Sequence, residues 1–186
     1  MSRMLVETAD LCDVLLFRPE PRRDERGFFT RTFDADVAVA HGLDPAAYVQ
    51  ESQSRSGHGT LRGLHGRAGA GEAKLVRCAR GAVLDVIVDA RPSSPTYGRH
   101  QGFRLDDEQF RMLYVPRGFL HGFQVLSEVA DICYRIDRPH DPTEDLSVRY
   151  DDPDLGIAWP LPVDILSPRD QAAGSWRDLT CRHVAC

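Results

Sequence analysis

Fifteen glycines and twelve prolines are spread along this chain, and between them lie short runs in which apolar residues alternate with polar ones or β-branched residues cluster. Punctuation of that kind leaves room for strands and turns and cuts most helices short. Nine runs read as strands: DVLLFRP, YVQESQSR, TLRGLHGR, AKLVRCAR, AVLDVIVDAR, HQGFRL, RMLYVP, HGFQVLSE and ADICYRID. Arg80-Gly81 sits between two of them, which predicts a hairpin over KLVRCARGAVLDVIVDA, with a second strand apolar enough to be buried on both faces. A 3.6-residue period is scarce; DADVAVAHGL offers one helix, with Asp34 as N-cap and Gly42 as its stop. The pattern predicts an all-β fold with few short helices, built as a double-sheet jelly roll or small barrel.

At 186 residues the chain suits a single domain spanning residues 1–186, long enough to bury a core without metals or disulfides. From about residue 150 the prolines of DDPDLGIAWPLPVDILSPRDQAAG exclude long strands, and its apolar residues predict a C-terminal flap over the barrel. A net charge of −5, with 23 Lys and Arg that form no block, argues against nucleic acid as a partner. Cys12, Cys78, Cys133, Cys181 and Cys186 form an odd set with no C-x-x-C spacing, so neither a disulfide framework nor a zinc knuckle is indicated. No stretch of 18 apolar residues occurs, and MSRMLVETADLCD lacks a leader's apolar core. These features predict a cytoplasmic protein without a membrane partner.

Two strands carry polar groups that are costly to bury unless they work. LRGLHGR puts Arg62 and His65 on one short run, and YVPRGFLHGF carries the Pro-x-Gly-x-x-His pattern that in cupin barrels turns a histidine, here His121, inward. A divalent metal needs three or four convergent donors, and the partner strand reads His65-Gly66-Arg67, where a guanidinium cannot ligate a cation. No metal is therefore expected, and the histidines are free for acid and base work.

The chain resembles the nucleotide-sugar 3,5-epimerases, the dTDP-4-dehydrorhamnose 3,5-epimerase family. The likeness runs through DERGFF, VQESQSRS, LRGLH, KLVRC, VLDVIVDARPSSPTYG, VPRGFLHGF, DPDLGIAWP and LSPRDQAA, all in one order. What the resemblance implies is a cupin jelly roll, active as a homodimer and needing no cofactor, that epimerises a nucleoside-diphosphate sugar. A keto group at C4 acidifies the hydrogens at C3 and C5, so a base on one face and an acid on the other invert a carbon through an enolate. By similarity His65 is the base, Asp170 the carboxylate that fixes its tautomer, and Tyr134 the acid. Lys74 is implied as the positive charge near the C4 oxygen. His121 either shares that oxyanion role or donates a hydrogen bond to the sugar. Arg62 suits the diphosphate, and Arg26 resembles an arginine that family members donate across the dimer. Phe29, Gln50, His140 and Arg169 complete the implied substrate-binding set. Taken alone, Asp170 reads as a helix cap, Tyr134 and Phe29 as core, and the arginines as surface ion-pair partners.

Arg31, Ser52, Gly66 and His140 depart from the family pattern at positions expected to face substrate, and Gly66 is expected to open volume beside the base. Another nucleotide, a larger sugar such as a GDP-heptose, or inversion at one carbon only would each fit. A metal-dependent cupin isomerase or oxygenase, and a sugar-binding cupin without catalysis, are the competing classes.

Overall fold

The computed structural model describes residues 4–184, with side chains through Cys181; Cys186 and residues 1–3 lie outside them. In chain order the strands are β1 (Met4–Thr8), β2 (Leu15–Pro19), β3 (Arg22–Asp24), β4 (Gly27–Phe29), β5 (Gln50–Gly57), β6 (Leu61–Arg67) and β7 (Lys74–Arg80). They continue as β8 (Ala82–Asp89), β9 (His100–Asp106), β10 (Met112–Val115), β11 (Phe119–Val125), β12 (Val129–Ile136) and β13 (Asp145–Ser147). Three short α-helices, α1 (Ala35–Ala40), α2 (Pro168–Gln171) and α3 (Trp176–Val184), and two single 3-10 turns, Pro45–Ala47 and Pro142–Glu144, complete the described elements. Among the described residues no helix is long and apolar enough to cross a membrane.

The strands form a six-stranded sheet in the order β1-β2-β10-β7-β12-β5 and a five-stranded sheet in the order β13-β6-β11-β8-β9, with β3-β4 as a separate ribbon. Every strand pairing is antiparallel, and the two sheets make the cupin-like jelly roll. Val76, Leu113 and Ile132 of the large sheet meet Val83, Ile87 and Phe123 of the small one in the main core cluster. Fully burying an aliphatic or aromatic side chain contributes roughly 1.5–3 kcal/mol, so this layer is the main reason the sheets stay together. Val88 of β8 belongs to a second cluster, with Leu64, Leu120, Leu155, Trp176 and Leu179, on the other side of the small sheet. The apolar run of β8 is therefore buried on both faces, and the segment after residue 150 supplies the outer cover.

All nine predicted runs are strands, and α1 starts where expected: the Asp34 carboxylate accepts from the Asp36 and Val37 amides, and Gly42 follows at φ +79°. The hairpin is not there. β7 pairs with β10 and β12, whereas β8 pairs with β9 and β11, so the turn at Gly81 carries the chain from one sheet to the other. A Cβ at Gly81 would lie 2.1 Å from the Val129 carbonyl oxygen, so the turn is pressed against the start of β12. Gly after a strand encodes a reversal, not the sheet that the next strand joins.

Candidate active site

Arg62 and His65 are three residues apart on β6, a spacing that would place them on opposite faces of a regular strand. The ladder between β6 and β11 shifts register there: His65 faces His121 and Arg62 faces Phe123, three steps on one strand against two on the other. One extra residue in β6 makes a bulge, and both side chains turn into the same cavity. Gly63 permits it, with φ at +131° and the Gly122 Cα 2.5 Å from where its Cβ would be.

The cavity has a volume of about 500 Å³. The small sheet contributes Arg62, His65 and His121, the large sheet Lys74 and Tyr134, and the C-terminal segment Ile165 to Asp170 closes one side. That segment is tied to the barrel by a bridge between Thr60 and Ile165.

His65 Nε2 lies 2.5 Å from Asp170 Oδ1, and Asp170 is almost wholly buried. A carboxylate only accepts, so Nε2 carries the proton and Nδ1 keeps its lone pair as the basic nitrogen. The second oxygen of Asp170 accepts from the Gly63 amide at 3.5 Å, which ties the carboxylate to the bulge. Burial holds the His65 imidazole below its ordinary value, opposed by the hydrogen bond and charge of Asp170. The helix cap is Ser167, whose Oγ accepts from the Asp170 amide at 3.1 Å, so Asp170 itself is free to serve the histidine.

Tyr134 projects from β12 on the facing sheet, and its hydroxyl shares a 3.2 Å hydrogen bond with Ser54 Oγ. Burial pushes its phenol well above the usual tyrosine value, so it keeps its proton. The His121 ring stands edge-on to the Tyr134 ring at 6.3 Å, and His121 Nε2 lies 2.8 Å from the buried Asp85 Oδ2. Lys74 Nζ lies 2.9 Å from Glu72 Oε1, and Arg62 Nε donates to Ser56 Oγ at 3.0 Å. The histidine pair, the phenol and the two cations thus each have a partner fixing the side chain. Among the described residues no group of three or more His, Cys, Asp or Glu is arranged to hold a metal ion.

Of the expected site residues, His65, Asp170, Lys74, Tyr134, Arg62, His121 and Arg169 line this cavity, and Arg26, Phe29, Gln50 and His140 do not. Arg26 is 85% exposed at the β3-β4 turn and paired with Asp24; Phe29, on the same ribbon, is 68% exposed. Gln50 opens β5 at its pairing with Ile136. His140 lies 3.3 Å from Asp145, which also receives Arg169 Nη1 at 2.9 Å.

None of the four departures lines the cavity. Arg31 is engaged with the helix-capping Asp34, and Ser52 is an exposed β5 residue opposite Tyr134 in the ladder. Gly66 opens no volume beside the base: a Cβ there would meet Leu120 Cδ2 at 2.7 Å, in the cluster beneath the sheet. Sequence reasoning passed over Glu72, Asp85, Ser54 and Ser56, which hold the cavity-lining Lys74, His121, Tyr134 and Arg62. Asp85 carried a signal, being a carboxylate inside the apolar run VLDVIVD, where an unpaired charge would be costly.

A jelly roll that sets a histidine of one sheet, paired with a carboxylate from the C-terminal segment, against a half-buried phenol of the other has the frame of an acid-base enzyme of the cupin class. The family model described as dTDP-4-dehydrorhamnose 3,5-epimerase matches residues 8–178. A dTDP-4-dehydrorhamnose 3,5-epimerase of Methanothermobacter thermautotrophicus is 41% identical over 168 residues, covering 89% of each chain. A dTDP-4-dehydrorhamnose 3-epimerase of Streptomyces niveus is 44% identical over 157 residues, covering 83% of this chain and 75% of its own. A solved dTDP-6-deoxy-D-glucose-3,5-epimerase of Legionella pneumophila, in complex with dTDP-4-keto-L-rhamnose, aligns with a TM-score of 0.88 at 38% identity over 93% of each chain. The chain belongs to the dTDP-4-dehydrorhamnose 3,5-epimerase family and is an epimerase, an enzyme of the isomerase class.

Proposed function

We propose that this epimerase acts on a dTDP-linked 4-keto-6-deoxy sugar and inverts C3, C5 or both, in deoxysugar biosynthesis. The observation that carries the reading is the placement of His65 on the small sheet, held by Asp170 of α2, and Tyr134 on the sheet facing it, across one cavity. Inversion needs a proton removed from one face and returned to the other, and two opposed sheets supply two faces. His65 Nδ1 removes the proton alpha to the keto group, and Asp170 stabilises the imidazolium that forms. Lys74 faces the charge that develops on the C4 oxygen, with His121 beside it. Tyr134, still carrying its proton, delivers it to the opposite face. Arg62 and Arg169 hold the diphosphate.

No cofactor takes part in this scheme, because the keto group already on the substrate acidifies the carbon. The protein works in the cytoplasm as a homodimer, each chain a single domain with the C-terminal segment as a flap, and with neither nucleic acid nor membrane as partner. Arg26, Phe29, Gln50 and His140, all outside the single-chain cavity, serve the nucleotide end, Arg26 in the partner's site.

The test is incubation with dTDP-4-dehydro-6-deoxyglucose in heavy water, reading deuterium at C3 and C5 by NMR. Deuterium at one or both carbons is expected, and the carbon labelled tells mono- from diepimerisation. His65→Ala should abolish exchange, a loss at or beyond the roughly 100- to 10,000-fold of general-base catalysis. Tyr134→Phe should keep some exchange while blocking inversion, because the enolate forms but is reprotonated from the side it came from. No exchange with any of several 4-keto sugar nucleotides would overturn the reading, and the reverse pattern in the two variants would swap the assignments.

A further inference from the structure

Lys74 does not stand alone at the cavity wall. Its ammonium is 2.9 Å from one oxygen of Glu72, and the other oxygen of Glu72 is 2.9 Å from Arg67 Nη2. The three side chains are 13%, 9% and 2% exposed for Lys74, Glu72 and Arg67, so the chain of charges runs from the cavity into the protein. Arg67 Nη1 donates to the Pro139 carbonyl at 2.7 Å, which anchors the far end. All three lie on or beside the connection from β6 in the small sheet to β7 in the large one. That connection is itself held where Arg138 Nη1 donates to the Gly71 carbonyl at 3.1 Å.

A lysine carries a flexible four-carbon stem, and an ammonium that stabilises developing charge works best when its position is fixed before reaction. A carboxylate fixes it well but brings a difficulty. An isolated Lys-Glu pair has no net charge, so the partner that positions the ammonium also cancels much of the field it would present to an enolate oxygen. A second cation behind the carboxylate changes the sum: Arg67, Glu72 and Lys74 together carry one net positive charge, with the ammonium at the cavity end. We propose that Glu72 is the positioning residue for Lys74 and that buried Arg67 offsets the charge of Glu72, so that Lys74 is held in place without being neutralised. The inference rests on the reading of Lys74 as the charge facing the enolate oxygen.

The test uses the whole enzyme and dTDP-4-dehydro-6-deoxyglucose, with kcat, KM and solvent deuterium exchange measured beside the thermal unfolding temperature. Glu72→Gln, nearly the same shape, should lower kcat by about 10-fold or more with KM within about 3-fold, the signature of an interaction strengthened at the transition state. Arg67→Met should lower kcat further, because Glu72 then neutralises Lys74 with nothing behind it. The double variant Arg67→Met/Glu72→Gln should recover turnover relative to Arg67→Met, since removing both charges again leaves one net positive charge at Lys74. A purely structural role predicts the opposite order, with the double variant no more active than the worse single one. Unchanged kcat in Glu72→Gln overturns the proposal even where Arg67→Met fails to fold; so does a folded double variant no better than folded Arg67→Met. Lys74→Met separates the two levels. If it keeps wild-type turnover, the reading of Lys74 and this proposal fall together; if it loses turnover while the double variant shows no recovery, only the proposal falls.

Discussion

Burial weakens an imidazole's hold on its proton, and half-buried His65 shows the effect, with burial lowering its affinity and Asp170 partly restoring it. Its folded-state value lies below 6.5, so at neutral pH the ring is neutral and ready to accept a proton. The acid limb of kcat/KM should therefore have its midpoint below 6.5. Asp170→Asn removes the two contributions that raise the value, so the limb should move further down in pH. The same change should cost roughly 100-fold or more in kcat, because an amide no longer enforces the tautomer or supports the imidazolium. A limb that stays put or moves up would break the link between Asp170 and His65. The sign for folding follows from the same shift: between the folded value and 6.5 the unfolded chain binds the proton more readily, so His65 makes stability fall as pH drops through that window. At this scale the family resemblance, and not the local sequence, named the residues that line the cavity: taken alone, Tyr134 reads as core and Asp170 as a helix cap. The groups that hold Lys74, Tyr134 and Arg62 carried no mark of either kind. Glu72 and the serines at 54 and 56 look like any polar residue near a strand, and only the fold gives them an acceptor or donor role.

Strands were legible as elements because alternation and Gly or Pro boundaries survive in the sequence, whereas their partners in the sheet were not. β7 and β8 show the difference: two apolar runs joined by Arg80-Gly81 look like a hairpin, yet each finds its hydrogen bonds in a separate sheet. β3, β4 and β13, three residues each, are too short to carry a period at all. The bulge in β6 was equally hidden, since the three-residue spacing of Arg62 and His65 in LRGLH fits opposite faces of a regular strand until the register against β11 is known. Its importance makes it testable. In Gly63→Ala the new Cβ would lie 2.5 Å from the Gly122 Cα, a backbone atom, at a φ of +131° that side chains rarely adopt. Strain of this kind should cost about 2 kcal/mol or more, a fall in Tm of roughly 4–8 °C for a chain of this length. Relieving it by losing the bulge would also send Arg62 and His65 to opposite faces, so activity should fall further than the folded fraction. A variant that melts and turns over like the wild type would mean that the bulge is not needed to bring the two residues together.

At the scale of the whole molecule, the cavity of one chain and the residues expected to serve it do not coincide. Arg26 and Phe29 sit on a two-stranded ribbon whose outer residues face solvent, and Phe28 beside them is 54% exposed although its ring packs at a tilt against Phe110. The only charge partner the ribbon gives Arg26 among the described residues is Asp24, two residues away and also exposed, a pairing of little energetic weight. Two exposed phenylalanines and an arginine paired only with its own ribbon suit a segment that reaches a second copy of the chain. Two phosphates on the substrate would give that arginine a stronger partner than Asp24. Sequence placed Arg26 in the site only through the family resemblance, because nothing local in DERGFF distinguishes an arginine that serves another chain from one that faces water. If the site is shared, Arg26→Ala and His65→Ala should each be nearly inactive alone. Mixed after reversible unfolding, they should regain activity, because one pocket of each heterodimer then carries neither defect. Random pairing makes about half the dimers mixed, each with one intact site of two, so recovery should approach about a quarter of wild type by the twofold symmetry of the pair. No recovery, from a mixture shown to contain heterodimers, would place Arg26 in its own chain's site or outside the site altogether.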